Sequence, residues 1–559
     1  MHRAPMAPAR ARSLRTPATV AAACGLALLA SACNGSGDDD TPTPAAPPAE
    51  TALAVDCAAL PARAPAGMTL TATAVAAGTV VGGNPQPAHC VLDGRMNQRT
   101  GADGQAYYIG FQLRLPAAWN GRFMFQGGGG NDGVVRDALG SLAGGGSLAG
   151  LKTGALAQGF AVVSTDGGHQ GTSASFGLDP QARIDHAYNA YDVVTVTAKS
   201  LINTAYGRKP DRSYFVGCSG GGRQAMLFPQ RFPDYFDGIA ANAPAIKVAR
   251  EASMASVWGL ISYGAVSPVL SQALSDADLK LVSNAVLQRC DSLDGAADGI
   301  IHANPAACSF DPAVLQCTGA KTDSCLTAAQ VTALKKDFGG PKNSAGQSLY
   351  ASWPWDAGIA GADWRNWKLG TSTTTTPNAR NATLIAADAM RLEFFTPPAP
   401  NFDYMAFNFD TDPARMDAYA AIYNTTSTDV AAFRNRGGKM LIVHGVSDAI
   451  FSANDSIDYY QRLQAAQGGA EATRKFARLY LVPGMNHCSN SGGPSTDLYD
   501  ALTPLVAWVE KGEAPDRIVA SAGPATPWPG RTRPLCPYPQ QAHYDGAGPI
   551  DSASSFTCR

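Results

Sequence analysis

The chain predicts an α/β fold class: a mostly parallel sheet covered by helices and interrupted by one large insert. Three observations predict it. Strand-like apolar runs alternate with helical stretches over 52–245, with clear strands at 122–125, 160–165 and 214–216. Over 246–428 the pattern gives way to Ser-, Thr-, Ala-, Asn- and Trp-rich segments with four clustered cysteines and few clean strands. Apolar runs return at 439–443 and 477–482, so one core is built from sequence on both sides of the insert, namely 52–245 and 429–559.

At 559 residues and 45% hydrophobic content the chain buries at least one large core. Its 43 Lys and Arg against 45 Asp and Glu leave a formal charge of −2, which offers no field for phosphate backbones or acidic membranes. Nucleic acid is therefore not an expected partner, and a small, neutral or modestly charged molecule fits better. Arg3, Arg10, Arg12 and Arg15 precede an apolar run over 20–30 and then Ala30-Ser31-Ala32-Cys33, which reads as an export signal over 1–33. The run is too short to span a bilayer. Cys33 after small residues resembles a lipoprotein cleavage box, although Ala30 stands where such a box usually has Leu. Ala30-Ser31-Ala32 also suits ordinary signal cleavage. Both routes lead out of the cytoplasm, to an outer-membrane lipoprotein or to a periplasmic or secreted protein, and membrane contact is expected only through a lipid on Cys33. Residues 34–51, with Asp38-Asp39-Asp40 followed by Thr, Pro and Ala, lack core-forming content and read as a flexible linker.

Ten of the twelve cysteines follow the signal, an even set that suits disulfides in an oxidising compartment. Short loops favour Cys290–Cys308, Cys317–Cys325 and Cys536–Cys558, because their ends meet easily. Zinc is the rival reading, but no CxxC pair or histidine cluster accompanies these cysteines.

The sharpest motif is Tyr214-Phe215-Val216-Gly217-Cys218-Ser219-Gly220-Gly221-Gly222-Arg223, an apolar strand running through Gly-x-Ser-x-Gly into a helix. This is a nucleophile elbow: the tight turn needs Gly217 and Gly221, and it lifts the Ser219 hydroxyl clear of the sheet. A serine hydroxyl needs a base. His487 follows the strand over 477–482 in a polar loop, and Asp448 follows the strand over 439–443, where a carboxylate can hold an imidazole tautomer. The order Ser, Asp, His is that of α/β-hydrolases. The plainer alternatives are a Gly-rich turn, a helix-capping carboxylate and a surface-loop histidine. A Cys218–Cys488 bridge would tie together the two loops that this chemistry needs in contact. Backbone donors for an oxyanion are offered by Gly220 and by the loop Gln126-Gly127-Gly128-Gly129-Gly130-Asn131-Asp132-Gly133, which lacks the GK[ST] ending of a phosphate-binding loop.

In the insert, Asp291-Ser292-Leu293-Asp294-Gly295-Ala296-Ala297-Asp298-Gly299-Ile300 places three carboxylates in a Gly-bent decapeptide. Side chains of Asp291, Asp294 and Asp298 with carbonyls of Ala296 and Ile300 suit a calcium ion; the alternative is a solvated acidic turn, since no Glu closes the pattern as in an EF-hand.

Together these motifs, with His444-Gly445-x-Ser447-Asp448 and Pro483-Gly484-Met485-Asn486-His487-Cys488, resemble the tannase and feruloyl esterase family over nearly the whole mature chain. The resemblance implies an α/β-hydrolase core with a large inserted lid domain carrying structural Ca2+, and it implies the disulfides Cys57–Cys90, Cys218–Cys488, Cys290–Cys308, Cys317–Cys325 and Cys536–Cys558. It also implies Gly130 and Gly220 as oxyanion donors, and Trp367 and Phe451 as aromatic walls for a substrate ring, where ordinary core packing is the alternative. For a carboxylate-binding arginine, ungapped correspondence falls on Asn381, and a one-residue slip on Arg380. Ile385, Ala386 and Ala389 replace an aromatic and small hydroxyl residues, while Gly129 and Gly220 replace bulkier ones.

The expectation is a monomeric serine carboxylic-ester hydrolase acting on a small aromatic ester. Mono(2-hydroxyethyl) terephthalate is the foremost substrate, with its bis-ester beside it. A feruloyl, chlorogenate or gallate esterase is the near alternative, and a catalytically inert surface binding module is the alternative from another class.

Overall fold

The structure, a computed structural model, describes residues 50–143, 153–301, 304–488 and 493–559. The expected export signal over 1–33, with Cys33, and all but the last two residues of the expected 34–51 linker lie outside the described residues. No helix among the described residues is long and apolar enough to cross a membrane.

Nine strands form the main sheet: β1 (Thr69–Val75), β2 (His89–Thr100), β3 (Ala106–Pro116), β4 (Arg122–Gln126), β5 (Ala161–Thr165), β6 (Arg212–Cys218), β7 (Gly238–Asn242), β8 (Lys439–Gly445) and β9 (Ala477–Val482), in the spatial order β1-β2-β3-β5-β4-β6-β7-β8-β9. From β5 through β9 every ladder is parallel. The ladders β1–β2, β2–β3 and β3–β5 are antiparallel. The sheet is thus more mixed than the apolar runs alone predict. The parallel strands read as unbroken apolar runs because both faces are buried. Phe123, Phe125, Val163, Phe215, Ile239, Ile442 and Leu479 enter one core, and the alternate residues Met124, Val162, Tyr214, Val216, Leu441 and Tyr480 enter a second one across the sheet. In contrast, β1 buries only Leu70 fully, so its sequence carries no such run.

Helices α1 (Ala190–Tyr206) and α2 (Gly220–Arg231) cover the first face, and α8 (Leu502–Lys511) packs in the second core. Between β7 and β8 the insert contributes α3 (Ser253–Gly264), α4 (Asp276–Cys290), α5 (Ala328–Gly339), α6 (Ala362–Lys368) and a π-helical segment, Asn381–Phe394; among the described residues it adds no strand to the sheet. Helix α7 (Ala453–Ala466) follows β8. The insert shares one hydrophobic cluster with loops of the sheet domain, including Phe176, Ala245, Ile450 and Phe451, and the described residues belong to a single compact unit.

Helix α6 has seven residues and no side-chain cap, so tertiary contacts hold it, including those of Arg365 to the Ser271 and Leu274 carbonyls. Trp364 and Trp367 are each 2% exposed, and Lys368 donates to Asp337 at 2.8 Å inside the same core. Tyr263 Oη donates to the other Asp337 oxygen at 2.9 Å. The five bridges Cys57–Cys90, Cys218–Cys488, Cys290–Cys308, Cys317–Cys325 and Cys536–Cys558 are all formed. Because removing one member of a buried pair strands the other, Lys368→Met is expected to destabilise the protein by about 3 kcal/mol, read as a lower guanidinium midpoint. An unchanged midpoint would show that Asp337 finds a substitute partner.

Candidate active site

Ser219 sits where β6 passes into α2, with φ 63° and ψ −122°, a left-handed conformation that costs about 1–3 kcal/mol for a non-glycine residue. The turn is held by its surroundings. The Ser219 N–H donates to the Asn242 carbonyl at 3.0 Å, and Asn242 Nδ2 donates to the Gly217 carbonyl at 3.2 Å. A Cβ on Gly217 would stand 2.4 Å from the Gly221 carbonyl oxygen, and one on Gly221 would stand 2.7 Å from that of Gly128, so both positions exclude a side chain.

Asp448 and His487 occupy the loops after β8 and β9, at the same C-terminal edge of the sheet. His487 Nδ1 and Asp448 Oδ2 are 2.7 Å apart. The other Asp448 oxygen accepts the N–H groups of Ile450 and Phe451 at 2.9 and 3.0 Å. Asp448 is fully buried, which alone raises its pKa, but the charge of His487 and hydrogen bonds from His444 and His487 outweigh burial and hold the carboxyl well below its usual range. An ionised Asp448 places the proton on Nδ1 and leaves Nε2 as a lone-pair acceptor. Nε2 is buried and has no hydrogen-bond partner among the described residues. The imidazole is flanked edge-on by Trp367 and Phe451, each with its ring centroid 5.3 Å away. The Cys218–Cys488 bridge joins the residue before Ser219 to the residue after His487, with Cα atoms 6.1 Å apart.

The glycine loop after β4 is fixed from behind. Gly128 N–H donates to Gln224 Oε1 at 3.0 Å and Gly129 N–H to Asp132 Oδ1 at 2.7 Å. Gln224 Nε2 and Tyr191 Oη both reach the second Asp132 oxygen, at 2.9 and 3.2 Å. Gly130, with φ 63°, keeps its amide uncommitted among the described residues, and the Gly220 amide opens α2 without an intrahelical acceptor. The two residues face each other: a Cβ on Gly220 would lie 3.2 Å from the Gly130 carbonyl oxygen.

These groups meet at a cavity of about 240 Å3. Ser219, His487, Gly129, Gly130, Gly220, Trp367, Arg380 and Phe451 all line it, while Asp448 stands behind the imidazole. Arg380, not Asn381, is in the lining, with its guanidinium 4.2 Å from the Trp367 ring centroid; Asn381 is buried. Ile385 lines the cavity, whereas Ala386 and Ala389 pack inside the insert. A strained serine, a carboxylate-oriented imidazole and two open amides around one cavity are an arrangement chemically competent for acyl transfer.

The sequence pattern described as tannase and feruloyl esterase matches residues 95–559. The chain belongs to the tannase and feruloyl esterase family. It is 47% identical to mono(2-hydroxyethyl) terephthalate hydrolase of Piscinibacter sakaiensis, over 84% of this chain and 85% of that protein, and 30% identical to a probable feruloyl esterase of Arthroderma benhamiae, over 80% and 81%. Among solved structures, feruloyl esterase B from Aspergillus oryzae superposes with a TM-score of 0.75 at 28% identity, covering 90% of this chain and 99% of that one. The protein is a serine esterase of the α/β-hydrolase fold within this family.

Several residues of this esterase's site carry no sequence signal of their own. Asp132 closes the glycine loop's motif, but its partners Gln224 and Tyr191 are distant in sequence. Asp388 of the insert accepts from Asn131 Nδ2 at 3.2 Å, from Ser173 Oγ at 2.9 Å and from the Ala174 N–H at 2.8 Å. Asp363 of α6 accepts the His487 N–H at 3.3 Å.

In the acidic loop, Asp291 accepts the Gly299 N–H, Asp294 that of Ala296 and Asp298 that of Ile300, while Arg533 pairs with Asp298. Among the described residues no group of three or more His, Cys, Asp or Glu side chains stands ready to hold a metal ion. The donor set is nevertheless all hard oxygen, and burial first, then the charges of Asp298 and Asp291, push Asp294 up to about 7. The carboxylates repel one another where a cation would be favoured, so the donors fit calcium in kind.

If the hydrogen bonds behind the glycine loop hold the Gly130 amide in place, Asp132→Ala is expected to lower kcat on p-nitrophenyl acetate by about 10- to 100-fold, with KM little changed. Unaltered kcat in a folded variant would mean that the loop keeps its shape without Asp132.

Proposed function

We propose that Ser219, His487 and Asp448 form the catalytic triad of an esterase acting on aromatic-acid esters, with mono(2-hydroxyethyl) terephthalate as the substrate and terephthalate and ethylene glycol as the products. The observation that carries the triad is the 2.7 Å contact between Asp448 and Nδ1, which leaves Nε2 without a partner among the described residues, in the cavity that Ser219 also lines. Nε2 takes the proton as Ser219 Oγ attacks the ester carbonyl, and the amides of Gly130 and Gly220 receive the developing oxyanion. The imidazolium, stabilised by Asp448, returns its proton to the leaving alkoxide, and water then releases the acid by the same steps in reverse order.

The substrate reading is supported by the 47% identity to a mono(2-hydroxyethyl) terephthalate hydrolase and by the cavity's own chemistry. Trp367 and Phe451 provide apolar faces for a flat ring, and Arg380, resting on Trp367, offers a guanidinium for a distal carboxylate. A Cβ on Gly129 would come no closer than 3.7 Å to a neighbour, so the absence of a side chain there leaves room, which supports turnover of the bis-ester too. The acidic loop, through Asp291, Asp294, Asp298 and the carbonyls of Ala296 and Ile300, would hold structural Ca2+, whose two charges, with that of Arg533 already on Asp298, would offset the three carboxylates. The disulfides suit an oxidising compartment, in agreement with the export signal in 1–33.

Ser219→Ala is expected to abolish hydrolysis by at least about 10^4-fold, and Asp448→Asn to reduce kcat by about 10^3- to 10^4-fold because the wrong imidazole tautomer is then favoured. Purified enzyme offered terephthalate monoester, methyl ferulate and methyl gallate tests the substrate. Preference for either phenolic ester overturns the terephthalate reading, and equal inactivity of folded wild type and Ser219→Ala on p-nitrophenyl esters overturns the enzymatic one. Millimolar Ca2+ after chelation is expected to raise Tm by roughly 2–5 °C, and Asp294→Asn to remove that increment. A Tm indifferent to chelator and calcium overturns the calcium site.

A further inference from the structure

Among the described residues the cavity beside Ser219 is lined by two arginines and by no aspartate or glutamate. Arg380 belongs to the wall built by the insert, stacked on Trp367. Arg136 belongs to the other wall, on the loop that carries Gly128, Gly129 and Gly130. Its side chain is exposed, and the adjacent carboxylate, Asp137, is already committed to Arg114 at 2.6 Å. Among the described residues Arg136 has no ion-pair partner.

The backbone under Arg136 is anchored. Its carbonyl accepts Ser164 Oγ at 2.5 Å, Ala138 N–H donates to Gln112 Oε1 at 3.0 Å, and Gly133 N–H donates to the Asp166 carbonyl at 2.7 Å. A guanidinium that lines a cavity, without a countercharge among the described residues, creates a positive potential that an anionic ligand group can satisfy. Arg380 shares its wall with the ring-binding Trp367 and so serves the acid portion of the ester. Arg136 shares its wall with the oxyanion donors and is left for the other portion.

We propose that Arg136 forms a second anion subsite, which raises turnover of esters whose alcohol portion carries a carboxylate relative to what the same cavity would give without it, while neutral hydroxyethyl esters remain substrates. The division into acid and alcohol sides rests on the reading given under Proposed function; a second anion-binding point does not depend on which aromatic acid is cleaved.

The test compares paired esters of one acid, the carboxymethyl ester (alcohol portion glycolate) and the neutral 2-hydroxyethyl ester, in terephthalate, benzoate and ferulate series. The measured quantity is the ratio of kcat/KM for the carboxymethyl ester to that for the hydroxyethyl ester. Arg136→Gln is expected to lower this ratio about three- to ten-fold, Arg136→Lys to retain part of it, and added salt to lower it in the wild-type enzyme. Arg380→Gln is expected to depress both terephthalate esters without changing their ratio. A ratio unchanged in Arg136→Gln, or a wild-type ratio indifferent to salt, overturns the proposal. If the terephthalate series is not hydrolysed while the benzoate or ferulate series shows the fall, the terephthalate reading fails and the subsite stands.

Discussion

The contact between Asp448 and His487 is the interaction on which the site depends, because it decides which imidazole nitrogen is free to act. Its two residues lie on loops that leave neighbouring parallel strands in the same direction, so the sheet itself brings them to one edge. Ser219 reaches the same edge from β6, two strands away through β7. Parallel strands make this convergence automatic: every strand ends on the same side, and the loops that follow share one crevice. The Cys218–Cys488 bridge, spanning 270 residues of sequence, then limits how far the serine and histidine loops can part.

The insert is part of this arrangement rather than a cover laid over it. Helix α6 presents Trp367 to the imidazole ring and Asp363 to the His487 backbone, one turn apart, so a single short helix touches the histidine twice. At the opposite side Asp388 ties the π-helical segment to Asn131 and to the Ser173–Ala174 turn. Movement of the insert would disturb both His487 and the glycine loop, which couples the position of the insert to the geometry of the site in the core.

The sequence was most informative where one local rule determines the outcome. The strands at 122–126, 161–165, 212–218, 439–445 and 477–482 are visible because both faces are buried, and the elbow is visible because only glycine fits at Gly217 and Gly221. The antiparallel strands over 69–116 were harder to see: β1 is largely exposed, and β2 alternates after its first four residues. Asp388, Gln224 and Asp363 were not legible as site residues, since each acts on a partner far away in sequence and none belongs to a motif. Arg380 illustrates the same limit. Counting positions leaves it and Asn381 equivalent, and only the placement of the π-helical segment turns one into the cavity and the other into the core.

The oxyanion loop explains why so many residues that never meet a substrate are polar and buried. An amide stabilises a transient charge well only if it is already aimed, since any reorientation during the reaction consumes part of the gain. Four glycines in succession give the chain freedom to expose the Gly130 amide but no rigidity to keep it there. Gln224 and Asp132 provide that rigidity by accepting the amides of Gly128 and Gly129, with Tyr191 and Gln224 in turn donating to Asp132, so that of the four glycines only Gly130 keeps its N–H open among the described residues. Flexibility of the sequence and stiffness of the folded loop are therefore complementary: glycine allows the conformation, and the buried carboxylate behind it removes the alternatives.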